Sequence, residues 1–598
     1  MPEQLRESDA PNEKDNNGGQ MKPNGGNMNI TRHKTRAGAG ALLGAALLAL
    51  IQFTNFFEAA AVRAQKPASN TAASAAGAAE HITAEQLKDY LEFMASDELE
   101  GRDTPSRGLD IAAKFIALHL SRWGLKPAGD QTTGNQKSYF QRIPLRRDRI
   151  DPAQTSLRLN DRSFGFGDDF LALPTGFAGT ISGPLVYVGD GWMIKAKNIN
   201  AYQGIDVKGK ILIANNAGFP PGISEADLSG KAGEDWDYPP AYAQKHGAAG
   251  VILIPPQNTP ANWERQRQSR MEQSHLAAPS LEEPGGPEML LSWPRIPILI
   301  ASAATTNTLF RGEKRDPAEF FGRNAEGKLP PSFDLDPNKK LSLTMALKSE
   351  AASTQNIVAV VEGSDPVLKH EYVTIGAHYD GAVGPPSQPD AIYNAADDNA
   401  SGTAALMTMA EALMRAPRPK RSILFIWDAG EERGLLGSYH FTVKPSVPLD
   451  KIVAHFNIDM IGRTRNGEAT PANEGLAGPD EVFVVGPRSL STELSELVDG
   501  VNRSYLNLKL NYRFDNVNNQ FFFPRSDHTP YLQQGIPILS WFTGLHEDYH
   551  RPSDSSDKID YRKMEKITRT LFVTSWSLAD AAKRPRIDQP LPPGLGRK

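Results

Sequence analysis

Cysteine is absent from all 598 residues. That single absence excludes a disulfide framework, a thiolate-bound zinc, an iron–sulfur cluster and a cysteine nucleophile. Any metal held by this chain must rest on His, Asp and Glu. An excess of one charge is missing too: 65 Lys and Arg stand against 70 Asp and Glu, a net of −5. Nucleic-acid binding normally shows a basic excess or stripe, so no such partner is expected. Apolar runs are short everywhere except near the amino terminus, which excludes a polytopic membrane protein. What remains, at 39% hydrophobic and 23% charged, is the composition of a globular protein with ample core. Length alone allows up to about four domains, and no internal repeat is visible.

Residues 1–28 are polar and rich in Gly and Asn, a composition with nothing to bury. Arg32, His33, Lys34 and Arg36 then precede an uncharged run from Ala37 to Ile51, and Val62-Arg63-Ala64 has the small-residue spacing of a cleavage site. Basic flank, short apolar core and small-residue exit predict a secretory signal peptide within residues 1–64, and hence a periplasmic or secreted protein. The competing reading is an uncleaved anchor, since the uncharged stretch extends to Phe57. Residues 65–80, rich in Ala and Ser, read as a tether.

The folded part is expected to begin at Thr83. Thr83-Ala84-Glu85-Gln86 has the capping-box pattern, with Ile82 and Leu87 placed as a hydrophobic staple. A second helix places Ile111, Phe115 and Leu118 on one face and stops at Gly124. From about 150 the texture changes to short β runs between turn residues, such as Gly209-Lys-Ile-Leu-Ile and Ala249-Gly-Val-Ile-Leu-Ile, which predicts a β-rich module over 151–350. Within it, 255–295 reads as irregular. After about 350 the pattern is α/β: Asn356–Glu362 and Tyr372–Ala377 read as neighbouring strands, followed by a helix from Gly402. The apolar runs Ser422–Trp427 and Ile452–Ile458 have the character of strands buried on both faces of a parallel sheet. A helix around Leu497-Val498 and a strand Ile536–Phe542 complete the pattern, with 586–598 as a tail.

Chemistry-bearing residues collect where those strands end. His378 and Asp380 follow one strand, Asp397 and Asp398 precede a helix, Glu431 and Glu432 follow a second strand, Asp459 follows a third, and His550 follows the last. Ligands of open α/β sheets bind beyond the carboxyl ends of the strands, so these groups are candidates to converge. So many carboxylates together repel one another unless cations are present. Imidazole and carboxylate without sulfur suit zinc, with manganese or cobalt as substitutes. Singly, each residue has a plainer reading: Asp397 as a helix cap or turn former, Glu431-Glu432 as solvated loop charge, His455 and His546 as core or surface histidines.

Five ordered motifs remove most of that ambiguity. Gly376-Ala-His378-Tyr-Asp380, Ala396-Asp-Asp398-Asn-Ala-Ser-Gly, Glu431-Glu432-Arg-Gly-Leu-Leu-Gly-Ser, Asn457-Ile-Asp459-Met and Tyr549-His550-Arg-Pro-Ser-Asp554 resemble the M28 family of dizinc metallopeptidases. The resemblance covers roughly 81–150, including Ser96-Asp-Glu-Leu-Glu-Gly-Arg102, and 351–580. It implies a doubly wound, mostly parallel α/β fold with helices on both faces, and a peptidase domain split into 81–150 and 351–585. It also implies roles. His378 and Asp459 would hold one zinc, Glu432 and His550 the other, and Asp398 would bridge the two. Glu431 would be the general base, Asp380 the carboxylate orienting His378, and Tyr549 a donor to the tetrahedral oxyanion. Asp554 would support His550. Ser526-Asp527-His528 would shape the pocket without touching metal. Gly204-Ile-Asp-Val-Lys-Gly-Lys-Ile-Leu-Ile and Tyr242-Ala-Gln-Lys-His-Gly-Ala-Ala-Gly-Val-Ile-Leu-Ile resemble the protease-associated (PA) domain, which implies a cover for the cleft or a limit on substrate size.

The implied activity is removal of amino-terminal residues from peptides. Carboxypeptidase action, glutaminyl cyclisation and a non-catalytic receptor role are the alternatives. The full ligand set and the base weigh against the last two. The sequence shows no Arg placed to clamp a terminal carboxylate.

Overall fold

In the computed structural model, the described residues are 69–598, apart from 217, 225–226, 257–258, 272, 284–293, 326, 385–389, 469–474, 520–521, 593–594 and 596–598. The leader expected within 1–64 lies outside them. Among the described residues, no helix is long and apolar enough to cross a membrane.

The centre of the larger sheet is four parallel strands: Ser422–Asp428, Tyr372–His378, Ile452–Ile458 and Ile538–Phe542, in that spatial order. They are nearly continuous apolar runs because helices cover both faces. One face carries Gly402–Met414, Tyr561–Asp580, Ala84–Met94 and Arg107–Trp123, packed through Leu406, Met409, Leu571, Leu91 and Ile116. The other carries Leu436–Val443 and His528–Gln533, packed through Phe441, Tyr531 and Leu532. The flanks are antiparallel: Leu347–Val361 joins Ser422–Asp428 on one side, and Glu481–Val485 joins Ile538–Phe542 on the other. The sheet is therefore parallel at its core and mixed overall. Asn356–Glu362 and Tyr372–Ala377, expected as neighbours, are separated by Ser422–Asp428. The crossover through helix Gly402–Met414 brings the chain back from Tyr372–His378 into the slot beside Leu347–Val361, so sequence adjacency does not become sheet adjacency.

Local chemistry explains several element ends. Thr83 Oγ1 accepts from Gln86 N at 3.2 Å, and Ile82 and Leu87 are both buried. The reciprocal half of the box is not made, because the Gln86 amide goes to the buried Glu411 carboxylate instead. Ser106 Oγ caps Arg107–Trp123 through Leu109 N at 3.1 Å, and Gly124 ends that helix at φ 84°, where a side chain is strained. Its buried face is Leu109, Ala112, Ala113, Ile116 and Leu120. Leu118, expected inward, is 54% exposed. Small alanines on the buried face let this helix lie close, and they carry little of the apolar contrast by which an inward face is read from sequence.

Other corrections have similar causes. The tether expected over 65–80 contains a helix, Ser69–Ala79, whose Ala75, Ala78 and Ala79 are buried in the main core. The stretch 255–295 holds a helix, Pro260–Met271, and a strand, Ser274–Ala277. In the expected tail, Ile587, Leu591 and Leu595 pack against the second-face core, and Asp588 Oδ1 accepts from Thr492 N at 3.1 Å.

Residues 156–345 build a second sheet around their own core. Its middle is Gly179–Tyr187, Ile211–Asn215, Gly250–Ile254 and Ile298–Ala301 in parallel. Phe310 stacks on Phe320 at 3.6 Å under Tyr187. The chain enters and leaves this module through one antiparallel ladder, with Phe140–Ile150 against Leu347–Val361 in unbroken register from Leu347↔Ile150 to Ile357↔Phe140. Ser274–Ala277 returns from the module to pair with Arg146–Arg149 at the edge of the larger sheet. Gly230 N donates to Asn518 O at 3.0 Å, a second point of contact between the two parts.

Candidate metal centre and pocket

The carboxyl ends of the four parallel strands deliver the expected residues to one place. His378 is the last residue of Tyr372–His378, and Glu431 and Glu432 lie three and four residues beyond Ser422–Asp428. Asp459 directly follows Ile452–Ile458, and His550 sits in the loop after Ile538–Phe542. Two groups form around a shared carboxylate. His378 Nε2 lies 3.3 Å from both Asp398 Oδ1 and Asp459 Oδ1. His550 Nε2 lies 3.0 Å from Asp398 Oδ2 and 3.2 Å from Glu432 Oε2. Each oxygen of Asp398 thus faces a different histidine, and within each trio the donor atoms fall inside 4.8 Å of one another. Glu431 groups with His378 and Glu432 on the same scale.

The loop that carries Asp398 is held from three sides. Asn399 Nδ2 donates to Ile458 O at 2.9 Å while its Oδ1 accepts from Gly402 N and Met460 N, which ties Asp398 to the strand end bearing Asp459. Asp554 Oδ2 accepts from Asp397 N at 2.9 Å and Asp398 N at 3.1 Å. Asp554 therefore anchors the bridging residue rather than His550, whose support was expected. The fully buried Arg102 donates to Tyr379 O, Asn394 O and Ala395 O, closing the third side. A guanidinium suits this task because its five donors can satisfy several carbonyls at once. Burial lowers its pKa to about 10, against the pull of Asp380 and Asp554.

Asp380 sits behind His378. His378 Nδ1 faces Asp380 O at 3.2 Å and Oδ1 at 3.6 Å, which leaves Nε2 to face the cluster. The same carboxylate accepts from Glu431 N at 3.2 Å and Thr104 Oγ1 at 3.0 Å. One side chain thus fixes both a candidate ligand and the candidate base. Tyr549 stacks on His550 at 3.7 Å and receives a hydrogen bond from Arg525 Nη2 at 3.4 Å.

The electrostatics are those of a site short of positive charge. Burial pushes the Glu431 carboxyl well above its usual range, with Glu432 and Asp459 adding repulsion against the pull of His378. Burial and repulsion from Asp398 push Glu432 up to about 7. Burial opposes the charge on His550, but hydrogen bonds to Asp398 and Glu432 prevail and raise it to about 10. Asp398 is also penalised by burial, yet the two imidazoles hold it far below the ordinary carboxylate range. Glu432 Oε1 is buried with no hydrogen-bond partner. Two nitrogen donors, three carboxylates and a bare buried oxygen are a fit for divalent cations of the zinc type.

The plainer readings apply to the remaining residues. Asp397 is fully buried and accepts from Gly462 N at 2.6 Å, with His546 Nε2 at 3.2 Å from its other oxygen. It therefore holds a loop. His455 stacks flat on Tyr531 at 3.6 Å in the core. Asp527 accepts from Ser438 Oγ at 2.5 Å. Beside the cluster, a cleft of about 580 Å³ runs from Glu431, Asp459 and Tyr549 between Met460, Phe522, Phe542 and Leu545, with Ser526 and His528 also on its wall. Arg525, Asn399 and Arg102 carry parts of this arrangement that sequence reasoning did not assign. Arg525 borders the noted Ser526-Asp527-His528, the one signal that pointed to it.

Residues 356–575 match the family model described as Peptidase family M28. This segment is similar to the peptidases of family M28. Among curated proteins, a probable zinc metalloprotease of Leptosphaeria maculans is 26% identical over 260 residues, 39% of this chain and 58% of that protein. An aminopeptidase of Pseudomonas aeruginosa is 26% identical over 291 residues, 43% of this chain and 49% of that protein. The chain spans about half the length of the curated relatives it matches. Among solved structures, a zinc aminopeptidase of Bacillus subtilis superposes with a TM-score of 0.47 at 18% identity, covering 85% of this chain and 98% of that one. The M28 match begins inside the strand Leu347–Val361 and ends inside the helix Tyr561–Asp580, so it encloses every strand end that feeds the cluster.

Proposed function

We propose that this protein is a dizinc exopeptidase that releases amino-terminal residues from peptides, and that residues 1–64 export it to the periplasm or beyond. The observation that carries this reading is Asp398, whose two oxygens each face a separate histidine-plus-carboxylate set while Glu431 stands beside both. His378 and Asp459 would hold one zinc, Glu432 and His550 the other. The relatives named as aminopeptidases support the direction of cleavage. Zinc held there would supply Lewis acidity towards the scissile carbonyl and make the attacking water more acidic.

The chain's own residues do the rest. Glu431 takes a proton from the attacking water and returns it to the departing amine as the C–N bond breaks, a task suited to a carboxyl that burial has made more basic. Asp380 holds His378 in one tautomer and, through Glu431 N, holds the base in line. Tyr549 Oη donates to the oxygen that becomes anionic, with Arg525 fixing the phenol from behind. The apolar walls of the cleft exclude bulk water from this exchange. The module over 151–350, read as a PA-like insert, would limit what reaches the cleft, a role supported by its contact at Asn518, close to Phe522 and Arg525.

The test is Glu431→Gln in the zinc-loaded protein. Zinc content is expected to stay at two per chain while hydrolysis of aminoacyl-4-nitroanilides falls by at least about a hundredfold. Retained activity would remove Glu431 from the role of base. Cleavage of amino-blocked dipeptides, with none of aminoacyl-nitroanilides, would replace the aminopeptidase reading by carboxypeptidase action.

A further inference from the structure

Three of the loops that supply candidate ligands meet at a carboxylate that is not one of them. Asp397 precedes the bridging Asp398 and is fully buried. Its Oδ1 accepts at 2.6 Å from the N–H of Gly462, three residues beyond Asp459. Its Oδ2 lies 3.2 Å from Nε2 of His546, four residues before His550. Among the described residues neither that oxygen nor that nitrogen has another hydrogen-bond partner. One side chain therefore touches the loop of the bridge, the loop of Asp459 and the loop of His550.

Both arms of this clamp are themselves held. Arg463 Nη1 lies 3.2 Å from His546 Nδ1, and a guanidinium only donates, so Nδ1 accepts and Nε2 carries the proton. Arg463 in turn donates to Asp548 Oδ2 at 2.6 Å, and Lys558 Nζ donates to the other oxygen of that carboxylate at 2.7 Å. On the opposite side, a Cβ at Gly462 would stand 2.9 Å from both Asp397 Oδ1 and Ile559 Cδ1, so only glycine allows this approach. A backbone N–H and an imidazole N–H thus converge on Asp397, and a carboxylate, which only accepts, suits both.

We propose that Asp397 is a positioning residue that sets the spacing of the two metal sets, with His546 as its arm to the Glu432–His550 set. The inference rests on the dizinc reading of the cluster. Ser401 Oγ, which donates to Asp397 O at 2.7 Å and accepts from Ile461 N at 3.0 Å, joins the bridge to the Asp459 loop a second time. His550 has no such duplicate on its amino-terminal side. Asp554 ties the chain four residues after it, and His546 ties the chain four residues before it. His550 itself has φ 55°, a left-handed backbone that a side chain disfavours and that persists only where the surroundings hold it. Without the His546 arm that backbone can relax and draw its imidazole away from Asp398 and Glu432, while His378 and Asp459 keep their places.

The experiment titrates zinc into the metal-free full chain against a chromogenic chelator, in the wild type and in His546→Phe. One of the two binding steps is expected to weaken about 10–100-fold in the variant while the other stays within about threefold. A general loss of packing would weaken both steps together, so an equal loss at both overturns the inference. Two steps as tight as those of the wild type in a folded His546→Phe also overturn it and leave the dizinc reading standing. Should that variant fail to fold, Asp397→Asn decides the matter, because an amide cannot accept from both Gly462 N and His546 Nε2. It too should lose affinity at one step, and wild-type binding at both overturns the inference. A wild type that binds fewer than two zinc ions overturns the dizinc reading and the inference with it.

Discussion

Removing the Asp554 carboxylate should unseat the bridging residue without touching a candidate ligand. Asp554 is 1% exposed, and its Oδ2 alone receives the N–H groups of Asp397 and Asp398. In Asp554→Ala both donors stay buried with no acceptor, at about 1–3 kcal/mol each. Arg463 loses one neighbour at 3.5 Å but keeps Asp548 at 2.6 Å, so its contribution is minor. The net cost is about 3 kcal/mol, which for a unit of roughly 300–500 residues lowers the unfolding midpoint by about 3–5 °C. Asp554→Asn keeps an amide oxygen able to accept, and its cost should stay near about 1 kcal/mol. Differential scanning calorimetry in the presence of a chelator isolates this from metal linkage, which would otherwise add its own stabilisation. A midpoint for Asp554→Ala within about 2 °C of the wild type, or one equal to that of Asp554→Asn, would refute the reasoning.

Two further outcomes follow from groups on either side of the cluster. Asp380→Ala should weaken zinc binding about 10–100-fold by freeing the His378 ring, read by competition with a chromogenic chelator; unaltered affinity would show that Asp380 does not orient the imidazole. Burial opposes ionisation of Glu481, but Gly478 N, Asn511 and Lys509 outweigh it and hold the carboxyl at about 2, against 4.5 ordinarily. A depressed carboxyl contributes stability above its unfolded pKa and loses it as pH falls through the folded one, here from about 4.5 to about 2. Lys509 is largely exposed, and screening of that pair brings the contribution to about 1–2 kcal/mol. Glu481→Gln should therefore be less stable than wild type at pH 6, and the gap should close as the pH falls to about 2. A gap unchanged across that range would count against the assignment.

The candidate site was legible because its residues are punctuated by strand ends, and strand ends can be read from apolar runs. His378, Glu431, Glu432 and Asp459 each sit within a few residues of such a run. Asp398 was legible only as part of a motif, since an isolated Asp before a helix reads as a cap. What escaped were the residues whose meaning is purely tertiary. Arg102 looks like any surface cation until the carbonyls of Tyr379, Asn394 and Ala395 gather around it. Asp554 could not be assigned to the Asp398 backbone rather than to His550 from a spacing of four residues. The order of strands was hidden for the same reason: a crossover helix says that the chain returns in parallel, not on which side. Alanine-rich segments were the other blind spot. Ser69–Ala79 and the inner face of Arg107–Trp123 bury small side chains, which carry little hydropathic contrast but allow close approach.

The single ladder that joins the two modules has a consequence for how the protein can be taken apart. Ile150 and Leu347 are already opposite one another, so a two-residue turn could splice them and delete everything between as cleanly as trimming a hairpin. The cut would nonetheless take Ser274–Ala277 with it and strip the partner from Arg146–Arg149. A sheet edge that is now covered would be left open to pair with another chain. The larger sheet would retain its core and its cluster but acquire a sticky flank. The inserted module thus serves its host as an edge guard as well as a neighbour of the cleft, and its removal should be scored first by aggregation and only then by activity.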